Sequence, residues 1–396
     1  MALSACGGQG DPASSSQSIN PGTQTITPTR PLNDTGITAC GRTRWDSIAC
    51  PDPDYPGQDG EFGRDVQYND NKDGVSGFSF TKLDAEGKSL DASAENWSCV
   101  KDNVTGLVWE AKTNDGGLRD ESNTFTWYDK DATDGALGLQ NGGVCSGEIL
   151  CDTSSYVQAI NDIKFCGSDK WHVPNVNDLL SIGNYWKNPG PPGVTEYFPE
   201  QMQHLWAAET HPFSGAMAWT VYFTWGSSAA SWEKNKALPL RLVSNNDAKQ
   251  VSPGPTFVNN DDGTVIDTTT GLMWMRCAYG LQWNGSTCLS DHLGGYNWKT
   301  ALLGVQDLNG KGGFAGHVDW RIPNIKELAS IVEWGSQSYF NPVIFPAIPP
   351  YVSICSSSPD AYTLSGVWVI ETSNAEIRSV SRDNWSSVSL FVRGGL

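Results

Sequence analysis

The sequence lacks any run of about 18 apolar residues, the length that a membrane-spanning helix requires. It is also poor in basic side chains, since 26 Lys and Arg residues stand against 44 Asp and Glu residues, for a formal net charge of −18. A chain this acidic repels phosphate backbones, and nucleic acid is therefore not an expected partner. A lipid anchor is the one membrane attachment that remains to be predicted.

The common signatures of catalytic and metal sites are absent as well. The sequence has no pair of CxxC motifs and no HExxH, GxSxG, phosphate-loop or dinucleotide-binding segment, and its five histidines show no metal-ligand spacing. We therefore predict that the protein is not an enzyme and holds no cofactor. Calcium is the one candidate ion, because Asn69, Asn71 and Asp73 place oxygen ligands at alternate positions before a glycine. A β-turn between two strands explains the same residues.

The size and composition predict two or three loop-rich domains. The chain has 396 residues, more than a typical single domain, and it contains 42 Gly and 22 Pro residues. These residues favour turns and irregular segments over long helices, which indicates an α+β fold with short strands. Ten cysteines indicate an oxidising compartment. Three pairs close short loops and are predicted disulfides: Cys40–Cys50, Cys145–Cys151 and Cys277–Cys288.

The beginning of the sequence resembles a bacterial lipobox. Leu3-Ser4-Ala5-Cys6 places small residues before a cysteine, which would then carry lipid, although four residues can also match by chance. The following residues are rich in Gly, Ser, Thr, Gln and Pro, and such a composition cannot bury enough apolar surface to fold. We therefore predict a lipid-anchored, disordered tether over residues 1–37. By resemblance to lipoprotein sorting, Gly7 after the cysteine favours the outer membrane.

The sequence also repeats itself. Residues 105–109 read TGLVW and residues 270–274 read TGLMW, while the segment WHVPNVNDLLSI at 171–182 returns as WRIPNIKELASI at 320–331. Between these motifs each copy has apolar residues at helical spacing, beginning at Tyr156 and at Ala301. The Asn of each Pro-Asn pair, Asn175 or Asn324, is a plausible N-cap of a second helix.

The ends of the two copies also align. Trp219 and Trp368 each lie in a strand-like stretch, and each is followed 24 residues later by Val243 or Val392. We therefore predict a first domain over residues 38–247 with an insertion around 135–152, a linker over 248–255, and a second domain over 256–396.

This ordered set of motifs, TGL[MV]W, a helix, W-[RH]-[IV]-P-N-x-x-[DE]-L, a Trp strand and a final Val-Arg-Gly-Gly, resembles the Legionella collagen-like protein C-terminal domain, also called domain of unknown function 1566. The resemblance implies two tandem domains of exported proteins, often lipoproteins or adhesins, with a fold similar to C-type lectins and formylglycine-generating enzymes. It implies glycan binding, since the collagen-like adhesin binds sulfated glycans. It also implies a disulfide between Cys99 and Cys166, and no catalytic residues come with it.

Two positions of the second copy depart from the family pattern. Cys355 stands where the first copy has Trp206, and Leu390 stands where it has Arg241. Cys355 is left without a predicted partner, and a buried free thiol is its simplest interpretation.

The C-terminal segment is the candidate binding face, because Tyr, Trp, Ser and Asn on a rigid scaffold are the mixture that a paratope uses. An ordinary closing strand pair is the alternative. The chain ends similarly to lectin-like variable proteins of diversity-generating retroelements, and both departures lie in this segment. The candidate ligand-binding residues are Tyr351, Ser353, Cys355, Ser357, Asp360, Tyr362, Ser379, Ser381, Asp383, Asn384, Trp385, Ser387 and Ser389.

Together these patterns favour a surface-displayed adhesin or receptor-binding protein that recognises a glycan or a protein. A structural accessory of a pilus or secretion system is a second hypothesis. A formylglycine-generating type of enzyme is a weaker one, because Cys355 is the only spare cysteine for its chemistry.

Overall fold

A computed structural model describes residues 27–43, 46–68, 72–132, 136–186, 196–199, 204–223, 228–245, 254–289, 295–383 and 387–394. Of the predicted linker over 248–255, it describes Gly254 and Pro255. The fold is α+β, with many short strands, few helices and four disulfides. Among the described residues, no helix is long and apolar enough to cross a membrane.

In the first part of the chain, the described residues form three helices and twelve strands, besides short 3-10 turns at Asp59–Glu61 and Phe165–Gly167. The helices are α1 (Arg64–Gln67), α2 (Thr153–Asp162) and α3 (Val176–Ser181). The strands are β1 (Cys40–Thr43), β2 (Asp46–Ile48), β3 (Phe80–Leu83), β4 (Cys99–Asp102), β5 (Val108–Glu110), β6 (Phe125–Thr126), β7 (Trp171–His172), β8 (His204–Thr210), β9 (Met217–Tyr222), β10 (Ser228–Glu233), β11 (Ala237–Leu238) and β12 (Val243–Ser244).

The second part repeats this order with fewer elements. Its helices are α4 (Trp298–Gly310) and α5 (Ile325–Ser330). Its strands are β13 (Phe257–Asn259), β14 (Thr264–Asp267), β15 (Met273–Met275), β16 (Gln282–Trp283), β17 (Cys288–Leu289), β18 (Ser353–Pro359), β19 (Gly366–Glu371), β20 (Ile377–Ser381) and β21 (Val392–Arg393). The predicted helices and Trp strands are therefore confirmed in both copies.

The two copies share their sheet topology. The first has a five-stranded sheet in the order β3-β4-β5-β12-β7 and a three-stranded sheet β10-β9-β8. The second has β13-β14-β15-β21, to which Arg321 adds a bridge at Val392, and a three-stranded sheet β18-β19-β20. The strand pairs in these sheets are antiparallel.

Local chemistry explains why the repeated motifs fold alike. Before each TGL[VM]W motif an aspartate, Asp102 or Asp267, accepts hydrogen bonds from the backbone N–H groups of the turn that follows. Gly106 closes the first turn with φ 77°, a conformation that other residues adopt only with strain. Asn175 and Asn324 each form a capping box with the acidic residue three positions later, which starts α3 and α5 as predicted.

The two copies pack on each other through counterpart residues. Tyr185 contacts Trp368 edge-on with ring centroids 5.3 Å apart, and their counterparts Trp334 and Trp219 do the same at 4.9 Å. Helix α3 contacts its counterpart α5, and β10 contacts its counterpart β20. Such a self-complementary interface is what an approximate two-fold axis produces. One hydrophobic core accordingly contains residues of both copies.

The segment before the first sheet differs from the prediction. Asn33, Thr35 and Ile37 are buried, so the tether predicted over residues 1–37 is wrong for this part of the chain. Asn33 Nδ2 donates to Asp102 Oδ2 of the first copy at 2.8 Å, while Lys326 Nζ of the second copy donates to the carbonyl oxygen of Asp34. Polar contacts with both copies thus order a segment that has little apolar surface of its own. Residues 1–26, with Cys6, lie outside the described part of the chain.

The four disulfides join the four predicted pairs, Cys40–Cys50, Cys99–Cys166, Cys145–Cys151 and Cys277–Cys288. Such bonds persist in oxidising compartments, which agrees with an exported protein.

Candidate functional site

Six of the thirteen candidate residues in the C-terminal segment are buried inside the protein. Ser353, Cys355, Ser357, Asp360, Ser387 and Ser389 are each at most 5% exposed. Their polar atoms are used internally: Ser353 Oγ donates to Glu371 Oε1 at 2.6 Å and Ser379 Oγ donates to Asp360 Oδ2 at 2.7 Å. The prediction that these residues form one binding face is therefore wrong, because β18 is covered on both sides.

The exposed candidates do not form a single site either. Tyr351 is 84% exposed and Tyr362 is 56% exposed, but they flank the seven-residue strand β18 at opposite ends. At about 3.3 Å per residue, that strand separates them by about 20 Å. Ser381 and Asp383 are exposed as well, whereas Asn384 and Trp385 lie outside the described residues.

A different surface, on the first copy, carries grouped aromatic rings. In the sheet β8-β9-β10, His204 pairs with Tyr222, and Trp232 pairs with Ala218 on the same face. The His204 ring lies 5.5 Å from the Tyr222 ring and 4.9 Å from the Trp232 ring, measured between centroids. Trp232 is 42% exposed, and the other two rings are half-buried. We call His204, Tyr222 and Trp232 the aromatic face.

The aromatic face is uncharged. Burial lowers the pKa of His204 to about 4, so its ring is neutral at physiological pH. Its Nε2 lies 2.7 Å from Thr220 Oγ1, and that hydroxyl donates to the carbonyl oxygen of Ala230 at 3.0 Å. Because the hydroxyl proton is used there, Nε2–H is the donor to Thr220 Oγ1, and Nδ1 keeps a lone pair for another partner.

The second copy has no such face at the counterpart positions. Ser353, Glu371 and Val380 stand there, and Arg378 forms an ion pair with Glu371. No local pattern in the sequence indicates the aromatic face, because His204, Tyr222 and Trp232 come together only through the register of β8, β9 and β10.

Comparison with known proteins supports the repeat. Residues 98–244 and 263–393 each match the sequence profile of the Lcl C-terminal domain. The chain belongs to this family. The prediction of a tandem arrangement of Lcl C-terminal domains is thereby confirmed. No curated protein and no solved structure matches the chain.

The departures of the second Lcl C-terminal domain from the first are exchanges in the core. Trp206 in the first domain donates from Nε1 to the carbonyl oxygen of Phe125, whereas its counterpart Cys355 packs in a cluster with Trp298. Leu390, the counterpart of Arg241, is fully buried in the second domain. Core positions do not present variable surface to a ligand, so these two residues no longer support the retroelement hypothesis.

We expect the Cys355 thiol to be unreactive in the folded protein. It is 1% exposed, burial raises its pKa, and its Sγ lies 2.8 Å from Ser389 Oγ. In a Cys6→Ser variant, thiol titration should find no reactive group in native protein and one group after denaturation in guanidinium. Rapid labelling of the native variant would contradict this assignment.

The calcium candidates cannot be assembled into a site from the described residues. Asn69 and Asn71 lie outside them, and the Asp73 carboxylate accepts a hydrogen bond from Ser79 Oγ, as in a turn. Within the described part of the chain, no group of three or more His, Cys, Asp or Glu side chains could hold a metal ion.

Proposed function

We propose that this protein is a surface-displayed carbohydrate-binding protein whose site is the aromatic face of the first Lcl C-terminal domain. The exposed ring of Trp232 next to the neutral His204 ring is the observation that carries the proposal. Sugar rings have apolar C–H faces that pack on aromatic rings, and aromatic side chains provide rigid contact area at little entropic cost. The free lone pair of His204 Nδ1 can accept a hydrogen bond from a sugar hydroxyl.

The charge of the protein favours neutral glycans over sulfated ones. Just after Trp232 along the chain, Lys236 Nζ lies 3.5 Å from Glu233 Oε2, so this cation is balanced by an acid. The chain as a whole carries −18, and a sulfated ligand would meet repulsion without a basic patch to offset it. The ligand class thus differs from the one that the collagen-like adhesin suggested.

The same proposal places the protein on the cell surface as an outer-membrane lipoprotein, held through Cys6, with domains of the C-type-lectin kind. The four disulfides and the family membership support export. We propose a binding protein rather than an enzyme, because the buried Cys355 offers no accessible nucleophile.

A glycan array with a Trp232→Ala variant tests the proposal. We expect wild-type protein to bind neutral oligosaccharides, and we expect the variant to lose about 2 kcal/mol or more, which is about 30-fold in affinity, as for a central aromatic contact. Leu289→Ala is the matched control, since Leu289 is 54% exposed on the second domain. Binding that is equal in all three proteins would place the site elsewhere, and binding to sulfated glycans alone would contradict the ligand class.

A further inference from the structure

A cleft of about 390 Å³ lies between the two domains. Its lining includes Asn177 and Glu209 of the first domain, Ser330, Glu333 and Trp334 of the second, and Arg30 of the preceding segment. A cavity of this size lies within the range of ligand pockets, about 300–1,000 Å³.

The approximate two-fold axis relates this cleft to a place that is already filled by polypeptide. The counterparts of its five domain residues are Lys326, Ser358, Ser181, Asn184 and Tyr185. They surround the chain segment formed by Asp34, Thr35 and Gly36.

The contacts with that segment are specific. Tyr185 N–H donates to the Thr35 carbonyl oxygen at 2.8 Å, and Lys326 Nζ donates to the carbonyl oxygens of Asp34 and of Ser181. Gly36 packs so closely against Asn184 that a Cβ atom would come within 2.5 Å of its Oδ1. This half of the pseudo-symmetric interface therefore shows how the fold holds a peptide segment.

The cleft and the place filled by residues 34–36 each contain a carboxyl group. In the filled half, the Asp59 carboxylate accepts hydrogen bonds from Thr35 Oγ1 at 3.0 Å and from Ser358 Oγ. Ile325 N–H donates to Ser358 Oγ at 3.0 Å, just as its counterpart Val176 N–H donates to Glu209 Oε2 at 3.1 Å. Glu209 thus brings into the cleft the carboxyl group that Asp59 supplies on the other side.

The electrostatic setting of Glu209 agrees with a site that lacks its partner. Burial, and to a lesser extent Asp178, raise the pKa of Glu209 to about 8. A further hydroxyl donor to the Glu209 carboxylate would stabilise the charged form, as hydrogen bonds to a carboxylate do.

We propose that the cleft binds a peptide segment of a partner protein in the conformation of residues 34–36, with a threonine or serine hydroxyl donating to Glu209. The site lies apart from the aromatic face and does not depend on carbohydrate binding. The peptide backbone occupies the position that corresponds to Asp34–Gly36, and Asn177 replaces Lys326 as its polar neighbour.

The probe is a fluorescent, acetylated peptide with the sequence of residues 31–38, PLNDTGIT, whose central residues fill the other half. We expect saturable binding to the full protein with a Kd below about 1 mM. A peptide with valine at the position of Thr35 should bind about 5–10-fold more weakly, the effect of one hydrogen bond to a carboxyl group. In Glu209→Ala protein the two peptides should bind equally weakly.

A second variant blocks the cleft without disturbing the fold. Gly335 lines it, and a Cβ atom there would meet nothing within 4 Å, so Gly335→Phe should abolish peptide binding. Gly310→Phe is the matched control, because Gly310 is equally unobstructed at the end of α4. Absence of saturable binding at 1 mM peptide, or equal binding by the Gly335→Phe variant, would overturn the proposal. Trp232→Ala should leave peptide binding unchanged, so the carbohydrate site and the peptide site can fail independently.

Discussion

Replacing Glu110 by glutamine should lower the free energy of unfolding by about 3–5 kcal/mol, the usual result of leaving a buried charge without its partner. Glu110 and Lys112 form an ion pair at 3.0 Å with both side chains fully buried. The Glu110 carboxylate also accepts hydrogen bonds from Tyr156 Oη and from the backbone N–H of Leu242. A neutral amide removes the negative charge that Glu110 places beside the buried Lys112.

In the second domain, apolar side chains occupy the positions that correspond to this polar cluster. The counterparts of Glu110 and Tyr156 are Met275 and Ala301, which belong to one apolar core cluster, and the counterpart of Arg241 is Leu390, which is buried in the core that contains residues of both domains. Because the polar members are exchanged together, removal of one alone should be costly in the first domain. Glu233→Gln is the control, since that carboxylate is 59% exposed in a surface pair and should contribute less than about 1 kcal/mol. Urea denaturation measures both variants, and equal midpoints would contradict the buried pair.

Removal of the Cys99–Cys166 disulfide should have a comparable effect. This bond closes a separation of 67 residues, for which loop-closure entropy predicts about 4 kcal/mol of stabilisation. Cys166 lies just before the motif that contains Trp171, and Cys99 lies in β4, so the bond ties the helix α2 region to the five-stranded sheet. We expect the double Ser variant to unfold at a much lower urea concentration.

The matched control is the Cys145–Cys151 disulfide, which spans only 6 residues. The same relation predicts about 2 kcal/mol for a loop this short. Each variant lacks one disulfide, so the difference between their losses in the free energy of unfolding reports the effect of loop length. Equal losses in the two variants would show that local packing, rather than chain entropy, determines what each bond contributes.

The local features of this fold could be predicted from the sequence because their causes are local. The Asn175 and Asn324 caps depend on residues within one helical turn, and the short disulfides depend on spacing alone. The repeated motifs around Trp109 and Trp274 predicted two copies of one domain, and the two tryptophans lie in the counterpart strands β5 and β15. The family resemblance added the Cys99–Cys166 pair, which spacing alone did not give.

The failures involve contacts between distant parts of the chain. The serines near Cys355 resemble a polar surface, but Ser358 hydrogen-bonds Asp59, which lies 299 positions earlier. The segment around Thr35 resembles a tether for the same reason, since its partners are Asp59 and Tyr185. The aromatic face required the register of β8, β9 and β10, which no local pattern fixed.

The most direct test of the proposed function is a calorimetric titration of wild-type and Trp232→Ala protein with a neutral oligosaccharide selected on the array. We predict saturable binding to the wild type and an affinity at least about 30-fold lower for the variant, with unchanged thermal unfolding. Equal affinities in the two folded proteins would contradict the assignment of the carbohydrate site to the aromatic face.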